Sequence, residues 1–276
     1  MKNVQIKKLY ITFLVVMAVA GLSFNGSTNA AEFTYNGDTG PAYWWELDAE
    51  WGACAGTALD ARQSPVNIKH AKVDKRLKRL DLQTYPTTIN IFNNGHAIEQ
   101  HYEDTGSSIY FEGREYELQQ FHFHTLSEHA VKGERGSMEL HAVFLEPESG
   151  DNLVVGMLFD ISKKNNAFLQ TLIDAGLPEK NGDETVTNDL IDLADVLTNT
   201  SSYYTYAGSL TTPPCSENVT WVVLKEQAKF TMAQFQSFRR ILGNDFRPLQ
   251  DLNGREVRMT RGKRSHRHHD DDHDDD

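Results

Sequence analysis

Three histidines form the pattern with the clearest chemical meaning in this sequence. His122 and His124 are separated by one residue, and each follows a phenylalanine. In a β-strand this alternation puts both imidazoles on one face and the phenylalanines on the other. His141 follows in the next strand-like segment, after a turn containing glycines, and could reach the same point from a neighbouring strand. Three neutral imidazoles leave one open position on a tetrahedral Zn²⁺, which is the arrangement of a catalytic zinc site.

The histidine pair alone is a weak signal, because histidines in a cleft are also found simply hydrogen-bonded. The third histidine strengthens the zinc interpretation. Glu139 lies two residues before His141, on the same face of the predicted strand, where a carboxylate could orient the imidazole. A surface carboxylate is the alternative for Glu139, and the shared strand face favours the first interpretation.

The elements that must position these side chains are predicted to be mostly strands. Short β-branched or aromatic segments, bounded by turn residues, are typical of strands. Two apolar stripes predict helices, and the second begins with the spacing of a capping box at Thr231 and Gln234. The predicted strands are 88–92, 108–111, 119–125, 138–145, 153–161 and 218–224, with 119–125 and 138–145 as antiparallel neighbours; the predicted helices lie around 168–173 and 231–242.

Four motifs follow one another in order along the chain. They are Gln63-Ser64-Pro65-Val66-Asn67-Ile68; Asn93-Asn94-Gly95-His96; Phe121-His122-Phe123-His124 with Ser127-Glu128-His129 and Glu139-Leu140-His141; and Tyr203-Tyr204, Gly208-Ser209-Leu210-Thr211-Thr212-Pro213-Pro214-Cys215 and Trp221. Together they resemble the motifs of the α-class carbonic anhydrases of exported bacterial type. The resemblance spans about residues 35–255, nearly all of the chain after its N-terminal segment.

The resemblance implies a fold and an activity. The fold is mainly β, a single domain with a central twisted, mostly antiparallel sheet of about ten strands and short peripheral helices. The activity is the zinc-dependent, reversible hydration of carbon dioxide to bicarbonate and a proton, by attack of zinc-bound hydroxide. The alternative is an exported zinc-binding or ligand-binding protein that keeps the fold without turnover. The resemblance also implies inhibition by sulfonamides and anions, and it leaves a homodimer open.

Roles carried over from the family cover the metal and the proton path. His122, His124 and His141 are the expected zinc ligands, with Gln120 and Glu139 accepting from ring N–H groups of His122 and His141. Thr211 is the expected gatekeeper, and it passes its hydroxyl proton to Glu128. The expected proton shuttle is His96, and the expected members of the water network are Tyr35 and Asn94.

The resemblance also implies which residues bind the substrate: a set of apolar residues and one threonine. From the sequence alone, ordinary core is the better interpretation of the apolar residues, and the substrate role rests on the resemblance. One departure from the family pattern is Glu99, at a cavity-wall position that is usually an amide. The expected substrate-binding residues are Val143, Val154, Leu210, Thr212, Val219 and Trp221.

Cys54 and Cys215 are the two cysteines of the chain. An even count in an exported protein permits one disulfide, and two buried thiols are the alternative. The resemblance favours the disulfide, because secreted members of the family carry one at these positions.

The two ends of the chain differ in composition from the body. Lysines followed by an apolar run and small residues predict a signal peptide at 1–30, with a retained membrane anchor as the alternative. The prediction is therefore a periplasmic or secreted protein without a stable membrane anchor, with its catalytic domain at 31–262. Residues 263–276 are rich in histidine and aspartate, and we predict a disordered tail. Its histidines could capture metal ions, or the tail could simply be solvated.

Charge excludes one class of partner. The formal net charge of the 276 residues is −12, and no long basic stripe is present to meet phosphates. Nucleic-acid binding is therefore not expected.

Overall fold

A computed structural model describes residues 31–102 and 105–261 of the chain. The predicted signal peptide and the predicted histidine-aspartate tail lie outside the described residues. None of the helices in the described ranges has the length and apolar character needed to cross a bilayer.

Strands dominate the described part of the chain, and the helices are short. The strands are β1 (Asn67–Ile68), β2 (Lys72–Val73), β3 (Asp81–Gln83), β4 (Thr87–Asn93), β5 (Ile98–His101), β6 (Ser108–Phe111), β7 (Arg114–His124), β8 (Ala130–Val131), β9 (Glu134–Arg135), β10 (Met138–Leu145), β11 (Asn152–Ser162), β12 (Glu184–Ile191), β13 (Tyr203–Gly208), β14 (Val219–Leu224), β15 (Ala228–Thr231) and β16 (Arg258–Met259). The α-helices are α1 (Trp44–Leu47), α2 (Ala167–Ala175) and α3 (Met232–Leu242), and short 3-10 helices span Gly37–Thr39, Ala49–Ala55 and Leu193–Asp195.

Most of these strands belong to one large sheet, whose main row has the order β12-β4-β5-β7-β10-β11-β14-β13-β16-β2, while β1, β8 and β9 form a separate sheet of three strands. The ten strands of this row agree with the expected number, but β3, β6 and β15 join it and bring the sheet to thirteen strands. These additional strands are only three or four residues long. Most pairings are antiparallel, and β11 pairs in parallel with both β14 and β15.

The pairing that matters most for the histidines is that of β7 with β10. The two strands are antiparallel, as predicted, and His122 lies opposite His141 in the register. Glu139 lies opposite His124 in the same ladder. This register places the histidine-bearing faces of both strands side by side.

The opposite face of β7 packs into the main core. Phe121 lies 5.4 Å from Phe168 of α2, and Phe123 lies 4.8 Å from Phe238 of α3, measured between ring centroids. Both predicted helices are therefore present and cover this face. The capping box at the start of α3 is also confirmed, since Thr231 and Gln234 exchange side-chain and backbone hydrogen bonds. This packing fixes β7 from behind, and leaves its histidines facing the other way.

Candidate active site

The rings of His122, His124 and His141 converge at one point. Their centroids lie 5.0 Å apart for His122 and His124, 5.2 Å for His122 and His141, and 4.7 Å for His124 and His141. One ring nitrogen from each histidine lies within 4.8 Å of the other two. The rings tilt toward one another, and so approach more closely than the roughly 7 Å repeat of alternate strand residues.

Each ring has one nitrogen that faces the point where the three rings converge, the inner nitrogen, and one that faces away from it, the outer nitrogen. A hydrogen-bond acceptor lies beside each outer nitrogen. Nδ1 of His122 lies 2.8 Å from Oε1 of Gln120, and Nδ1 of His124 lies 2.6 Å from the backbone oxygen of Asp245. Nε2 of His141 lies 3.1 Å from Oε1 of Glu139, although its N–H is not aimed well enough for a regular hydrogen bond. Acceptors in these positions keep the proton on the outer nitrogens and leave the inner ones with free lone pairs.

The inner nitrogens fit a divalent cation. Nε2 of His124 is buried and has no hydrogen-bond partner among the described residues. Burial lowers the pKa of both His122 and His141, and so favours the neutral form that binds metals. Burial would also lower the pKa of His124, but the carboxylates of Glu128 and Asp245 outweigh it and raise that pKa. Such surroundings favour a positive charge at this point, and a metal ion would supply one.

Glu128 is fully buried directly behind the histidines. Its Oε1 accepts a 2.7 Å hydrogen bond from the backbone N–H of Arg247. Its Oε2 lies 3.6 Å from Nε2 of His124 and has no hydrogen-bond partner within the described ranges. The hydrogen bond expected from Thr211 to Glu128 is therefore not formed in this structure. Arg247 holds one carboxylate oxygen, and the other is directed at the histidines.

A second network surrounds Glu139. Its Oε2 accepts from the backbone N–H of His129 at 2.8 Å, and its Oε1 lies 2.8 Å from Nδ1 of the same residue. Nε2 of His129 in turn lies 2.6 Å from the hydroxyl of Tyr206. Burial alone would raise the pKa of Glu139, but His129 and His141 lower it well below its ordinary value. Glu139 is thus a buried carboxylate, and the surface alternative is wrong.

An apolar wall stands beside the histidines, where the expected substrate-binding residues meet. In the sheet register Val143 lies opposite Val154, which lies opposite Trp221. The ring of Trp221 is 4.8 Å from that of His141. Val154, Val219 and Trp221 belong to one buried apolar cluster, and Val143 and Leu210 pack against it while half-buried. The partial exposure of those two residues leaves part of the wall accessible.

His96 lies half-buried, stacked on Phe33 with 3.8 Å between ring centroids and 10° between ring planes. Burial lowers the pKa of His96, and the nearby Glu32 acts in the opposite direction. The side-chain oxygen of Asn94 accepts from the backbone N–H groups of His96 and Ala97, at 2.9 and 2.8 Å. Asn94 thus anchors the turn that carries His96.

Two further side chains lie near the histidines. The hydroxyl of Tyr35 is buried without a hydrogen-bond partner in the described part of the chain, and burial followed by Glu128 and Asp245 raises its pKa. Glu99 lies opposite His122 in the register between β5 and β7, and its Oε1 is 3.1 Å from Nε2 of His101. Burial raises the pKa of Glu99, and His101 acts against that rise.

The loop after β13 carries Thr211 and Thr212 and is held by a disulfide. Thr211 is buried and Thr212 is half-buried. The backbone oxygen of Thr212 accepts from the N–H of Cys215 at 2.9 Å. Cys215 is bonded to Cys54, which lies 161 residues earlier in the chain. The prediction of a disulfide is confirmed, and the alternative of two buried thiols is wrong.

Sequence reasoning missed several residues that position this site. The acceptor for His124 is the backbone oxygen of Asp245, 121 residues away, and a backbone group leaves no signal in residue identity. Arg247 donates to the backbone oxygens of Ser64 and Cys54, at 2.9 and 2.8 Å. A buried arginine cannot be told from a surface one by composition. The only local feature at this point of the sequence is that Arg247 directly precedes Pro248, with Asp245 two residues earlier.

Comparisons with known proteins agree on one family. The family model described as eukaryotic-type carbonic anhydrase matches residues 40–261. A carbonic anhydrase of Neisseria gonorrhoeae is 35% identical over 248 residues, which cover 90% of this chain and 95% of the relative. The solved structure of a hyperthermostable carbonic anhydrase from an active hydrothermal vent chimney is 35% identical, with a TM-score of 0.77, covering 83% of this chain and 100% of that one. The α-carbonic anhydrase of Thermovibrio ammonificans, solved in complex with the inhibitor sulfanilamide, is 33% identical with a TM-score of 0.74, covering 83% and 99%.

Proposed function

Since the chain belongs to the eukaryotic-type, or α, carbonic anhydrase family, we propose that it hydrates carbon dioxide reversibly at a zinc site held by His122, His124 and His141. The observation that carries the proposal is the convergence of three imidazole nitrogens within 4.8 Å, one of which is buried and has no hydrogen-bond partner in the described part of the chain. Nitrogen ligands in this number suit catalytic zinc, which keeps a fourth position for solvent.

Zinc bound there would supply Lewis acidity, which makes water acidic enough to serve as a nucleophile near neutral pH. The protein's contribution begins with the outer acceptors. Gln120, Glu139 and the backbone oxygen of Asp245 hold each ring in the tautomer that presents a lone pair to the site. This arrangement stabilises the ligands before a metal arrives, so little reorganisation is needed on binding.

Glu128 and Thr211 would orient the attacking water by fixing the direction of the hydrogen bonds that the Thr211 hydroxyl makes. Oε2 of Glu128 is a buried acceptor without a donor, and a buried acceptor gains strongly from a hydrogen bond. We propose that Thr211 supplies that donor in the working enzyme, through its hydroxyl group. A threonine that donates to Glu128 can only accept from the attacking water, so the lone pair of that water is directed at the substrate.

The apolar wall would bind carbon dioxide. Carbon dioxide carries no net dipole, so a dry surface formed by Val143, Leu210 and Trp221 provides contact without competition from ordered water. Thr212, in the adjoining loop, has a hydroxyl group that suits the polar product bicarbonate. Carbon dioxide would thus bind on the apolar wall, and bicarbonate would bind beside the hydroxyl group of Thr212.

His96 would move the released proton to solvent. Its half-buried position gives it access both to the cleft and to bulk water, and imidazole titrates near neutral pH. Asn94 holds the backbone of this histidine, and Tyr35 is placed to order water in the cleft. Proton exchange with buffer would complete each cycle.

The same proposal covers the limits and the location of the mature protein. The catalytic domain would comprise residues 31–262, released by removal of a signal peptide at 1–30 and followed by the histidine- and aspartate-rich tail at 263–276. The disulfide supports a periplasmic or secreted location, because disulfides persist in oxidising compartments. Sulfonamides are expected to inhibit, as sulfanilamide does in the Thermovibrio ammonificans relative.

The test combines zinc quantitation with a carbon dioxide hydration assay on the same samples. We expect one zinc per chain and rapid turnover in the wild type, and loss of both in His141→Ala. The matched control is His101→Ala, which removes an exposed histidine outside the triad. Equal hydration rates for wild type and His141→Ala, or a wild type that holds zinc without turnover, would overturn the proposal.

A further inference from the structure

One surface segment in the described part of the chain is positively charged, although the chain as a whole is negatively charged. Residues 69–79 include six lysines or arginines and one aspartate, although the chain has a formal net charge of −12. Four of these residues form what we name the basic strip: Lys75, Arg76, Lys78 and Arg79. All four are exposed.

The backbone beneath the basic strip is fixed. The N–H of Leu77 donates to the backbone oxygen of Asp74 at 3.2 Å, and the hydroxyl of Tyr203 donates to the backbone oxygen of Lys78 at 2.8 Å. The side chains of Leu77 and Leu80 pack against the main core. The charged side chains therefore point outward from a rigid base, which lowers the entropic cost of binding to them.

Most of the charge on the strip is unpaired. Arg76 is paired with Asp74 at 2.9 Å, and Nε of Arg79 donates to the hydroxyl of Thr200 at 3.1 Å. Across the ranges that the structure describes, Lys75, Lys78 and Arg79 have no carboxylate within ion-pair distance. Neighbouring like charges repel, so an anionic group placed on the strip would be stabilised.

The chain leaves the described structure beside this strip. Strand β16 pairs in parallel with β2, with Arg258 opposite Lys72 and Met259 opposite Val73. The N–H of Asp74 donates to the backbone oxygen of Met259 at 3.0 Å. Because the two strands run in the same direction, Arg261 follows a path that leads toward Lys75.

The segment that follows carries the complementary charge. Six of the seven residues 270–276 are aspartates. The nine residue-to-residue steps from Arg261 to Asp270 can span at most about 30 Å, which is enough to reach the strip. A tethered segment also acts at a high effective concentration. We propose that the aspartate-rich segment 270–276 docks on the basic strip of the same chain, held by charge rather than by a fixed conformation.

A zero-length carbodiimide cross-linker tests the location of the segment. The reagent joins a carboxylate to a lysine amine only when the two are in contact, and takes up the water released as a urea. We expect cross-links from 270–276 to Lys75 and Lys78 in the purified full chain, which disappear at about 0.5 M NaCl because salt screens exposed pairs. Lys163 and Lys164 are exposed lysines that serve as internal controls.

Two results would overturn the proposal in this experiment. Cross-links spread evenly over Lys163, Lys164 and the strip would mean that reach alone decides the contact. Cross-links between light and heavy chains, in a mixture of isotope-labelled and unlabelled protein, would mean that the segment docks on a second copy.

Limited trypsin digestion provides an independent measurement. Lys263, Arg264 and Arg267 lie between the described residues and the aspartates. Docking of the segment should shield these sites from trypsin. In the variant Lys75→Gln/Lys78→Gln/Arg79→Gln, we therefore expect cleavage at these sites to be about fivefold faster than in the wild type at low salt. At high salt, the variant and the wild type should be cleaved at the same rate. The matched control, Lys163→Gln/Lys164→Gln/Lys180→Gln, removes the same charge elsewhere and should behave as wild type. Identical cleavage rates for both variants at low salt would contradict docking.

Discussion

Glu128 illustrates how a single side chain can connect two parts of the site. One oxygen is held by the backbone N–H of Arg247 and the other, 3.6 Å from Nε2 of His124, has no donor among the described residues. A buried carboxylate oxygen without a donor is costly, so its retention points to a function. The proposed partner Thr211 is buried in the neighbouring loop. The carboxylate is thus placed where it can influence the three histidines and, if the proposed hydrogen bond forms, Thr211.

Phe33 stacks on His96 and should contribute to the burial that lowers the pKa of that histidine. Phe33 shields the imidazole, and desolvation lowers its pKa below the ordinary value of 6.5. Phe33→Ala should therefore raise the pKa of His96, measured by NMR titration of the ring protons. Phe33→Tyr keeps the stack and is the control.

The same shift makes stability depend on pH. The unfolded chain protonates His96 more readily than the folded chain, so this residue lowers the free energy of unfolding as the pH falls below 6.5. Phe33→Ala should weaken that dependence. An unchanged titration in Phe33→Ala would disprove this account.

Glu99 places a half-buried carboxylate opposite His122, at a position where the family pattern leads to the expectation of an amide. Because Glu99 lies opposite His122 on the same face of the sheet, its carboxylate should repel anionic cavity ligands and attract cationic ones. For Glu99→Gln, we expect binding of a carboxylate-bearing benzenesulfonamide to strengthen about fivefold and that of its ammonium analogue to weaken similarly. Calorimetry with an uncharged sulfonamide is the control for general damage, and equal shifts for all three ligands would contradict the electrostatic explanation.

Strands β7 and β10 carry the three histidines, but loops from distant parts of the chain contribute the other residues of the proposed site. The loop 209–216 follows β13, and the disulfide ties it to the segment around Cys54. The guanidinium of Arg247 bridges the same region by donating to the backbone oxygens of Cys54 and Ser64. Rigid strands thus fix the histidines, while covalent and hydrogen-bonded ties fix the loop that holds Thr211.

The disulfide should contribute both to stability and to the order of this loop. It closes a sequence separation of 161 residues, so its removal should greatly increase the entropy of the unfolded chain. We expect Cys54→Ser/Cys215→Ser to lower the free energy of unfolding by about 2–4 kcal/mol in urea titrations. Hydrogen exchange should accelerate in 209–216 and remain unchanged in β7. Uniform acceleration in both segments would show that the disulfide has no specific effect on the loop.

The sequence predicted the strands that carry the histidines, because alternation is a local property that survives folding. It could identify neither the acceptor of His124 nor the stack of Phe33 on His96, because both depend on segments brought together from far apart in the chain. Strands β3 and β15 were missed for a related reason. They are too short to show a pattern and exist only because β6 and β11 are available as partners.

Metal binding should be coupled to the stability of the whole fold. The three imidazoles are held together by packing on both faces of the sheet, and without a cation Nε2 of His124 remains a buried group without a partner. Zinc at about one hundred times its dissociation constant adds roughly 2.7 kcal/mol to the free energy of unfolding, which corresponds to about 5–10 °C in Tm for a domain of this size.

We therefore expect the Tm of chelator-treated protein to be lower by that amount and to recover fully when zinc is added. In His124→Ala the zinc-dependent increase should be lost, whereas in His70→Ala, which removes an exposed histidine, it should be retained. A Tm that does not respond to zinc in the wild type would mean that the three rings do not form a metal site.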